Sequence, residues 1–447
     1  MTKDLFGALA VIILCGATLL SSCTNSTADY KPVVLQSSVT HVQPMSGLVL
    51  WSNVATELQA THGACIALEF AYIQPCKLVT GKSEGKVLYE WSYLDKQLSA
   101  AAARGHQMVV RFPLCYPSNS NNCIGEKGGT YVPDYIRVLP DYHETYSANP
   151  GGDGPTWYPD WSNSELQWFV KQFYSDLAER YNNDPRVAFV EVGFGHWGEY
   201  HTYGTEVNFG VNFPTKEYQR ELFVHLSEVM DIPWLTSIDV GDEWYSDVCK
   251  HAETQALDFG LFDDTFMHRE HEIADGDGWN EKCWQWSGMD HWRTGVCGGE
   301  ISYYTADDQH NFLNPEGMYG HTWEESAAKY HMTFVICNDA PRGSYFSPGR
   351  VTEAGIAAGY NFRITACETN GKDSRVTVTN TGIAPIYRDA FVTVAGVRAE
   401  QSLRGLLPGE ELTCEIKAAA TTDNVRITSD LILPGQEIEF EADCCAK

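Results

Sequence analysis

Residues 186–201 read RVAFVEVGFGHWGEYH and combine a strand with a glycine-rich turn that carries an acidic residue. The run Arg186–Val192 is almost wholly apolar, which predicts a strand buried on both faces, as in a parallel sheet. Three glycines then interrupt the run, and Glu199 follows them between two aromatic residues and two histidines. The stretch therefore predicts a carboxylate in an aromatic nest at the end of a buried strand.

Similar apolar runs alternate with amphipathic helices over the first three quarters of the chain. The predicted strands are 47–52, 65–72, 107–113, 186–192, 234–240, 261–267, 293–301 and 331–337. The clearest predicted helices are 92–104, 163–181 and 215–230. Eight strands with helices between them predict an α/β fold, a (β/α)8 TIM barrel over residues 45–350.

The pattern changes after residue 355 into short alternating segments separated by turns such as Leu407-Pro408-Gly409. The segments are 360–368, 375–380, 389–394, 411–417, 425–429 and 437–441. Short alternating strands between turn signals are typical of an antiparallel β-sandwich. Residues 355–443 are therefore predicted to form a small C-terminal sandwich.

The first 22 residues are predicted to be a lipoprotein signal peptide. An apolar run from Leu5 to Leu20 is too short for a comfortable membrane span. It leads into Leu20-Ser21-Ser22-Cys23, which resembles a bacterial lipobox with Cys23 as the lipidated residue. We therefore expect an exported protein, anchored by lipid to a bacterial membrane on its periplasmic or cell-surface face, with residues 23–44 as a tether.

The negative charge of the chain excludes nucleic acid as a partner. Its 447 residues include 59 acidic and 31 basic side chains, which gives a formal net charge of −28. Nucleic-acid binding needs concentrated Lys and Arg, and the sequence contains no basic stripe.

Aromatic residues make up 12% of the chain, which suits stacking on sugar rings as well as core packing. The oligomeric state is left open.

Export into an oxidising compartment also predicts disulfides among the 14 cysteines. Cys115 and Cys123 flank a loop rich in Ser and Asn and are predicted to pair locally. Cys367 and Cys414 are candidates for a disulfide within the C-terminal module, although the pairing cannot be derived from the sequence.

Two carboxylates occupy the positions where barrel enzymes carry their chemistry, after the carboxyl ends of strands. Glu199 follows the fourth strand and Glu300 follows the seventh, in Gly298-Gly299-Glu300. Opposed carboxylates suit glycoside hydrolysis, in which one protonates the leaving oxygen and the other attacks the anomeric carbon or activates water. Glu191, inside the fourth strand, is an alternative for the acid.

Other polar and aromatic residues near the strand ends are candidates for substrate binding: Arg111, His196, Trp197, His201, Asp239, Glu243, His268 and Asn338. For Arg111 two roles stay open: holding a carboxylate or sulfate of the substrate, or neutralising a catalytic Glu. His268 and His271 would be the ligands of a metal-dependent hydrolase, although their spacing is not a standard one. We expect neither a metal nor another cofactor.

Several of these motifs resemble known proteins. Residues 179–201, the Gly298-Gly299-Glu300 step, residues 359–362, 380–387 and 407–409 resemble bacterial lipoproteins with glycoside-hydrolase-like barrels and a C-terminal β-sandwich. More distantly, the arrangement is similar to clan A glycosidases, which implies Glu199 as acid/base and Glu300 as nucleophile. Clan A usually has Asn where this chain has Gly198, and a Gly-Glu pair is similar to the inverting β-amylases. The stereochemical outcome therefore stays open, with retention favoured.

The favoured interpretation is a glycoside hydrolase that acts on a poly- or oligosaccharide. A non-catalytic carbohydrate-binding lipoprotein on the same scaffold would keep the aromatic rim without needing the carboxylate pair. A metal-dependent hydrolase is the third possibility.

Overall fold

The computed structural model describes residues 29–117, 129–269, 278–337 and 344–443. Cys23, Cys123, His271 and Asn338 lie outside these ranges. The strands, in chain order, are β1 (Lys31–Pro32), β2 (Gln36–Ser37), β3 (Gly47–Trp51), β4 (Leu68–Tyr72), β5 (Val79–Ser83), β6 (Lys86–Tyr89), β7 (Gln107–Arg111), β8 (Thr145–Ser147), β9 (Thr156–Tyr158), β10 (Val187–Val192), β11 (Trp234–Ser237), β12 (Gly260–Phe266), β13 (Cys297–Ile301), β14 (Phe334–Cys337), β15 (Phe362–Thr369), β16 (Ser374–Asn380), β17 (Phe391–Val394), β18 (Val397–Arg398), β19 (Glu411–Ile416), β20 (Val425–Thr428) and β21 (Phe440–Asp443). The α-helices are α1 (Ser52–His62), α2 (Pro75–Leu78), α3 (Ser92–Ala103), α4 (Asp134–Arg137), α5 (Ser164–Tyr181), α6 (Lys216–Val229), α7 (Trp279–Ser287), α8 (Ala306–Asn311), α9 (Trp323–Tyr330) and α10 (Pro348–Ile356).

Eight parallel strands close into a barrel in the order β10-β11-β12-β13-β14-β3-β4-β7. The predicted TIM barrel is therefore confirmed, and each of its strands overlaps the segment that the sequence predicted. Most of the strand residues are buried, because helices pack outside the sheet and side chains fill its interior. The closed sheet leaves its loops at two ends, and those at the carboxyl ends of the strands carry the site described below.

The helix with the clearest periodicity is α5, and its ends follow from local chemistry. The side chain of Asn163 accepts hydrogen bonds from the N–H groups of Glu165 and Leu166, which satisfies donors that a helix start leaves free. Its apolar face, from Leu166 to Tyr181, packs into the main core. Helix α5 leads into β10, and the turn that carries Glu199 begins where β10 ends.

The C-terminal region forms two sheets, as the predicted sandwich requires. The larger runs β19-β16-β15-β21-β2 with β1 beside β15, and the smaller runs β18-β17-β20. Their pairs are antiparallel except for β15 and β21, which are parallel. Residues 23–44 are the predicted tether, yet β1 and β2 within them pair with β15 and β21. The first two described strands therefore belong to the larger C-terminal sheet.

Both specific disulfide predictions are wrong. Cys115 has a free thiol, and its sulfur donates to the carbonyl oxygen of Trp157 at 3.4 Å. No disulfide joins Cys367 to Cys414, because they lie on strands at either side of β16, each opposite Val376. Two strand spacings separate their Cα atoms by roughly 10 Å, which is beyond the reach of a disulfide.

The residues that the structure describes contain no helix long and apolar enough to cross a bilayer.

Candidate active site

The loop after β10 folds back on itself and presents Glu199 at the mouth of the barrel. The N–H groups of Phe194 and Gly195 both donate to the carbonyl oxygen of Glu199, at 2.9 and 2.6 Å. The N–H of His196 donates to the carbonyl oxygen of His201 at 2.9 Å. A Cβ at Gly195 would lie 2.0 Å from that oxygen, so this closure requires glycine.

The two residues before Glu199 have left-handed backbone conformations, with φ of 53° at Trp197 and 77° at Gly198. Such a conformation is strained for a bulky residue, and strain of this kind tends to occur at functional sites. A Cβ at Gly198 would lie 3.2 Å from Pro113 and 3.3 Å from the Cδ of Arg111. The left-handed backbone and these two tight contacts together favour glycine at position 198.

Arg111 joins three carboxylates beneath the loop. Its Nε donates to Glu191 at 2.7 Å, one terminal nitrogen to Glu199 at 2.6 Å and the other to Glu300 at 2.5 Å. The guanidinium is fully buried and lies 4.3 Å from the ring centroid of Phe262. Arg111 thus forms ion pairs with three glutamates, two of which are the predicted catalytic residues.

A cavity of about 700 Å³ opens directly above this cluster. Glu199 and Glu300 both reach it, and it is within the size range of small-ligand sites. Aromatic side chains form most of its wall: Trp51, Tyr72, Tyr116, Trp197, Tyr203, Tyr303 and Tyr304. The remaining lining residues are Gly151, Asp153, Asp264 and Thr265. Flat apolar faces around opposed carboxylates suit the binding of a sugar ring.

The two carboxylates at the cavity floor have different surroundings. Burial raises the pKa of Glu199 to about 7, although Arg111 and His201 act against it. Glu300 accepts a hydrogen bond from the hydroxyl of Tyr303 at 2.9 Å, in addition to the one from Arg111. Burial also raises the pKa of Glu191 to about 7. Arg111 cannot by itself balance three ionised carboxylates, so Glu191 and Glu199 both hold a proton more readily than a free carboxyl does. Of these two residues, Glu199 lines the cavity.

His201 links Glu199 to a second acidic residue. Its Nε2 lies 3.4 Å from a carboxylate oxygen of Glu199, and its Nδ1 lies 3.1 Å from Asp239. Burial acts to lower the pKa of His201, but the hydrogen bond with Asp239 and the nearby carboxylates raise it to about 9. The ring of Tyr203 stacks on the imidazole at 4.0 Å. His201 is therefore a fixed cation beside the predicted acid.

Asp239 is held in place by several donors. It accepts from the hydroxyl of Ser237 at 2.7 Å and from the indole nitrogen of Trp279 at 3.2 Å, besides His201. Burial acts to raise the pKa of Asp239, but the hydrogen bond and charge of His201 lower it below its ordinary value. Asp239 thus stays ionised and orients His201, without lining the cavity itself.

The group with metal-compatible spacing among the described residues is Glu199, His201 and Asp264. One ligand atom from each lies within 4.8 Å of the others. The group contains the predicted acid, so it belongs to the same site.

Three other predicted binding residues do not line the cavity. The exposed Glu243 pairs with Lys250, and His268 contacts Asp308 at 2.9 Å. His196 is buried, and its Nε2 lies 2.8 Å from the hydroxyl of Tyr158. Burial lowers the pKa of His196 to about 3, so it is a neutral supporting residue of the loop. Asn338 lies outside the described residues.

Sequence reasoning also missed several cavity residues. Trp51 and Tyr72 end β3 and β4, so a systematic survey of strand ends would have found them. Asp264 lies inside β12, where the pairing with β13 shifts register between Asp263 and Phe266. A shift of this kind redirects side chains without any clear signal in the sequence.

No protein-family model and no curated protein sequence matches this chain. Among solved structures, endo-glycoceramidase II from Rhodococcus sp. is 12% identical with a TM-score of 0.41, covering 86% of this chain and 100% of that one. A monomeric β-xylosidase from Caulobacter crescentus is 11% identical with a TM-score of 0.38, over 80% and 76% of the two chains. Xylanase B from Clostridium stercorarium is 12% identical with a TM-score of 0.35, over 66% and 85%. These neighbours are glycoside hydrolases, but their TM-scores are all below 0.5, so the likeness does not establish the function of this chain.

Proposed function

We propose that this protein is a glycoside hydrolase in which Glu199 donates the proton and Glu300 is the nucleophile. The observation that carries the proposal is their meeting at the floor of one aromatic cavity, on the two terminal nitrogens of Arg111. Glu199, with its pKa raised to about 7, would protonate the glycosidic oxygen. Glu300, which accepts two hydrogen bonds, would attack the anomeric carbon as a carboxylate.

We further propose that the reaction retains the anomeric configuration. Oxygens held by neighbouring nitrogens of one guanidinium are close together. This favours the carboxyl separation of about 5–5.5 Å found in retaining enzymes over the roughly 6.5–9.5 Å of inverting ones. The product anomer, observed by proton NMR before mutarotation, distinguishes the two outcomes.

The substrate would be a poly- or oligosaccharide outside the cytoplasm. The lipobox-like residues 20–23 support this part of the proposal, with Cys23 as the lipid-bearing residue and a bacterial membrane as its partner.

The test replaces Glu199 and Glu300 separately by Gln and follows the hydrolysis of aryl glycosides and oligosaccharides in both anomeric series. We expect Glu300→Gln to abolish turnover of all of them. Glu199→Gln should cost roughly 10²–10⁴-fold on oligosaccharides, and far less on dinitrophenyl glycosides, whose leaving group needs no proton. Glu191→Gln, which alters the same Arg111 cluster away from the cavity lining, should cause a much smaller loss.

The matched control is Glu206→Gln, an exposed acidic residue on the same rim that does not line the cavity. Turnover that survives both Gln substitutions at Glu199 and Glu300 would refute the assignment. Saccharide binding without any turnover by the unmodified protein would favour the non-catalytic alternative.

A further inference from the structure

The cavity contains two carboxylates that the proposed reaction does not use, Asp153 and Asp264. Asp264 belongs to β12, and its side chain is 14% exposed. Its nearest cation is His201, whose Nδ1 is 3.8 Å away and is already shared with Asp239. Asp153 follows the turn Pro150–Gly152 in the loop that joins β8 to β9. Within the described residues, neither carboxylate accepts a side-chain hydrogen bond. Burial and the neighbouring carboxylates of Glu199 and Asp239 raise the pKa of Asp264 well above its ordinary value, against the charge of His201. A cation bound beside Asp264 would therefore favour its ionised form.

The cations near these carboxylates, His201 and Arg111, are not among the residues that line the cavity. Its lining, within the residues that the structure describes, holds four carboxylates and neither Lys nor Arg. Arg111 lies below the floor, where Glu191, Glu199, Glu300 and the hydroxyl of Tyr72 take its hydrogen bonds. An anionic sugar would therefore find no Lys or Arg donor in this lining, whereas a protonated amine would find carboxylate acceptors and would favour the ionised form of Asp264.

We propose that the cavity binds glycans built from amino sugars whose amines are free and protonated, with Asp264 and Asp153 each an acceptor for an ammonium group. An ammonium offers three donors and a positive charge, so its hydrogen bonds to a carboxylate are charge-assisted. The rings of Trp51, Trp197 and Tyr203 supply stacking faces and attract a cation through their π-systems. N-acetylation removes the charge, and a uronic acid reverses it. The inference deepens the proposed function by naming a substrate class, and its binding step is testable without turnover.

The experiment measures binding of three matched oligosaccharides to the full chain by calorimetry at low ionic strength. They are built from glucosamine, from N-acetylglucosamine and from units containing glucuronic acid. We expect the glucosamine oligomer to bind at least 10-fold more tightly than the N-acetylated one. Its affinity should fall as salt is added, since salt screens exposed charges, and the glucuronate oligomer should not bind.

Two variants assign the preference to the two aspartates. Asp264→Asn should weaken glucosamine-oligomer binding by about 10-fold, roughly one charge-assisted hydrogen bond, and leave the N-acetylated oligomer within twofold. Asp153→Asn, on a surface loop, provides a second test that does not depend on the integrity of β12. The control Glu206→Gln removes a nearby exposed charge and should change neither affinity.

Three results would overturn the inference. The first is equal affinity for the glucosamine and N-acetylglucosamine oligomers, and the second is tight binding of the glucuronate oligomer. The third is that Asp264→Asn and Asp153→Asn each weaken binding of the glucosamine and the N-acetylated oligomer to the same extent. These results differ from a failure of the proposed function. Amine-selective binding without turnover would refute the hydrolase and keep this inference. Turnover of neutral glycans that requires Glu199 and Glu300, with no preference for amines, would support the hydrolase and refute this inference.

Discussion

At the scale of single residues, the protonation of Glu199 depends on two cations and on burial. Arg111 and His201 each lower the pKa of Glu199, while burial raises it to about 7. His201 has a pKa raised to about 9, which keeps it positively charged at neutral pH. A general acid must be protonated when the substrate arrives, so activity depends on this balance.

The first prediction concerns the basic limb of the pH profile. We expect kcat/KM of the unmodified protein to fall as pH rises through about 7, because Glu199 then loses its proton. His201→Gln removes a cation that lowers the pKa of Glu199, so the limb should move to higher pH. The measurement is kcat/KM for an oligosaccharide or aryl glycoside with a poor leaving group, between pH 4 and 10.

His196→Gln is the control for this shift. His196 lies in the same loop, with its ring 6.1 Å from that of His201, but burial lowers its pKa to about 3, so it carries no charge at neutral pH. Its replacement should leave the limb in place. An equal displacement in both variants, or none in His201→Gln, would contradict a role for the charge of His201.

At the scale of elements, the alternation of strands and loops explains what the sequence could predict. Glu199 and Glu300 were found because both lie at the carboxyl end of a recognisable apolar run, where barrels place their chemistry. The partners of Arg111 could not be derived, since they come from β10, β13 and the loop after β10, which meet only in the closed barrel. Asp264 was missed because a register shift within β12 decides where it lies.

Arg388 connects the C-terminal sheets to two barrel helices. Its terminal nitrogens donate to the carbonyl oxygens of Asn182 and Asp231, each at 2.9 Å. These carbonyls lie at the carboxyl ends of α5 and α6, where the partial charge of a helix favours a cation. Burial lowers the pKa of Arg388 to about 10, so Arg388 stays charged at neutral pH and donates a hydrogen bond at each helix end.

We therefore predict that Arg388→Met lowers the free energy of unfolding by about 1–3 kcal/mol, because it leaves two partly buried carbonyl oxygens without their donor. The cavity is formed at the other end of the strands, so kcat/KM at 25 °C should not change. Chemical denaturation followed by circular dichroism measures the loss. Arg404→Met, at an exposed position nearby, should be nearly neutral; a similar cost there would show that the helix ends are not responsible.

At the scale of the whole molecule, the C-terminal sheets close the end of the barrel opposite the cavity. One hydrophobic cluster contains barrel side chains such as Leu68 and Phe334, which begin their strands, together with Phe362 and Val376 of the larger sheet. The hydroxyl of Tyr387 also donates to the carbonyl oxygen of Trp292 at 2.6 Å. The module thus covers apolar surface that the barrel alone would expose.

The shared cluster predicts that the barrel and the C-terminal sheets unfold together. Calorimetry of the full chain should give one transition whose calorimetric and van't Hoff enthalpies agree. A chain that ends at residue 359 would expose the apolar strand starts and lose the partner of β1 and β2. We expect it to aggregate or to bind a hydrophobic dye strongly, since large exposed apolar patches promote association. Two separate transitions, or a soluble and active truncated chain, would mean that the site is formed by a barrel that is stable on its own.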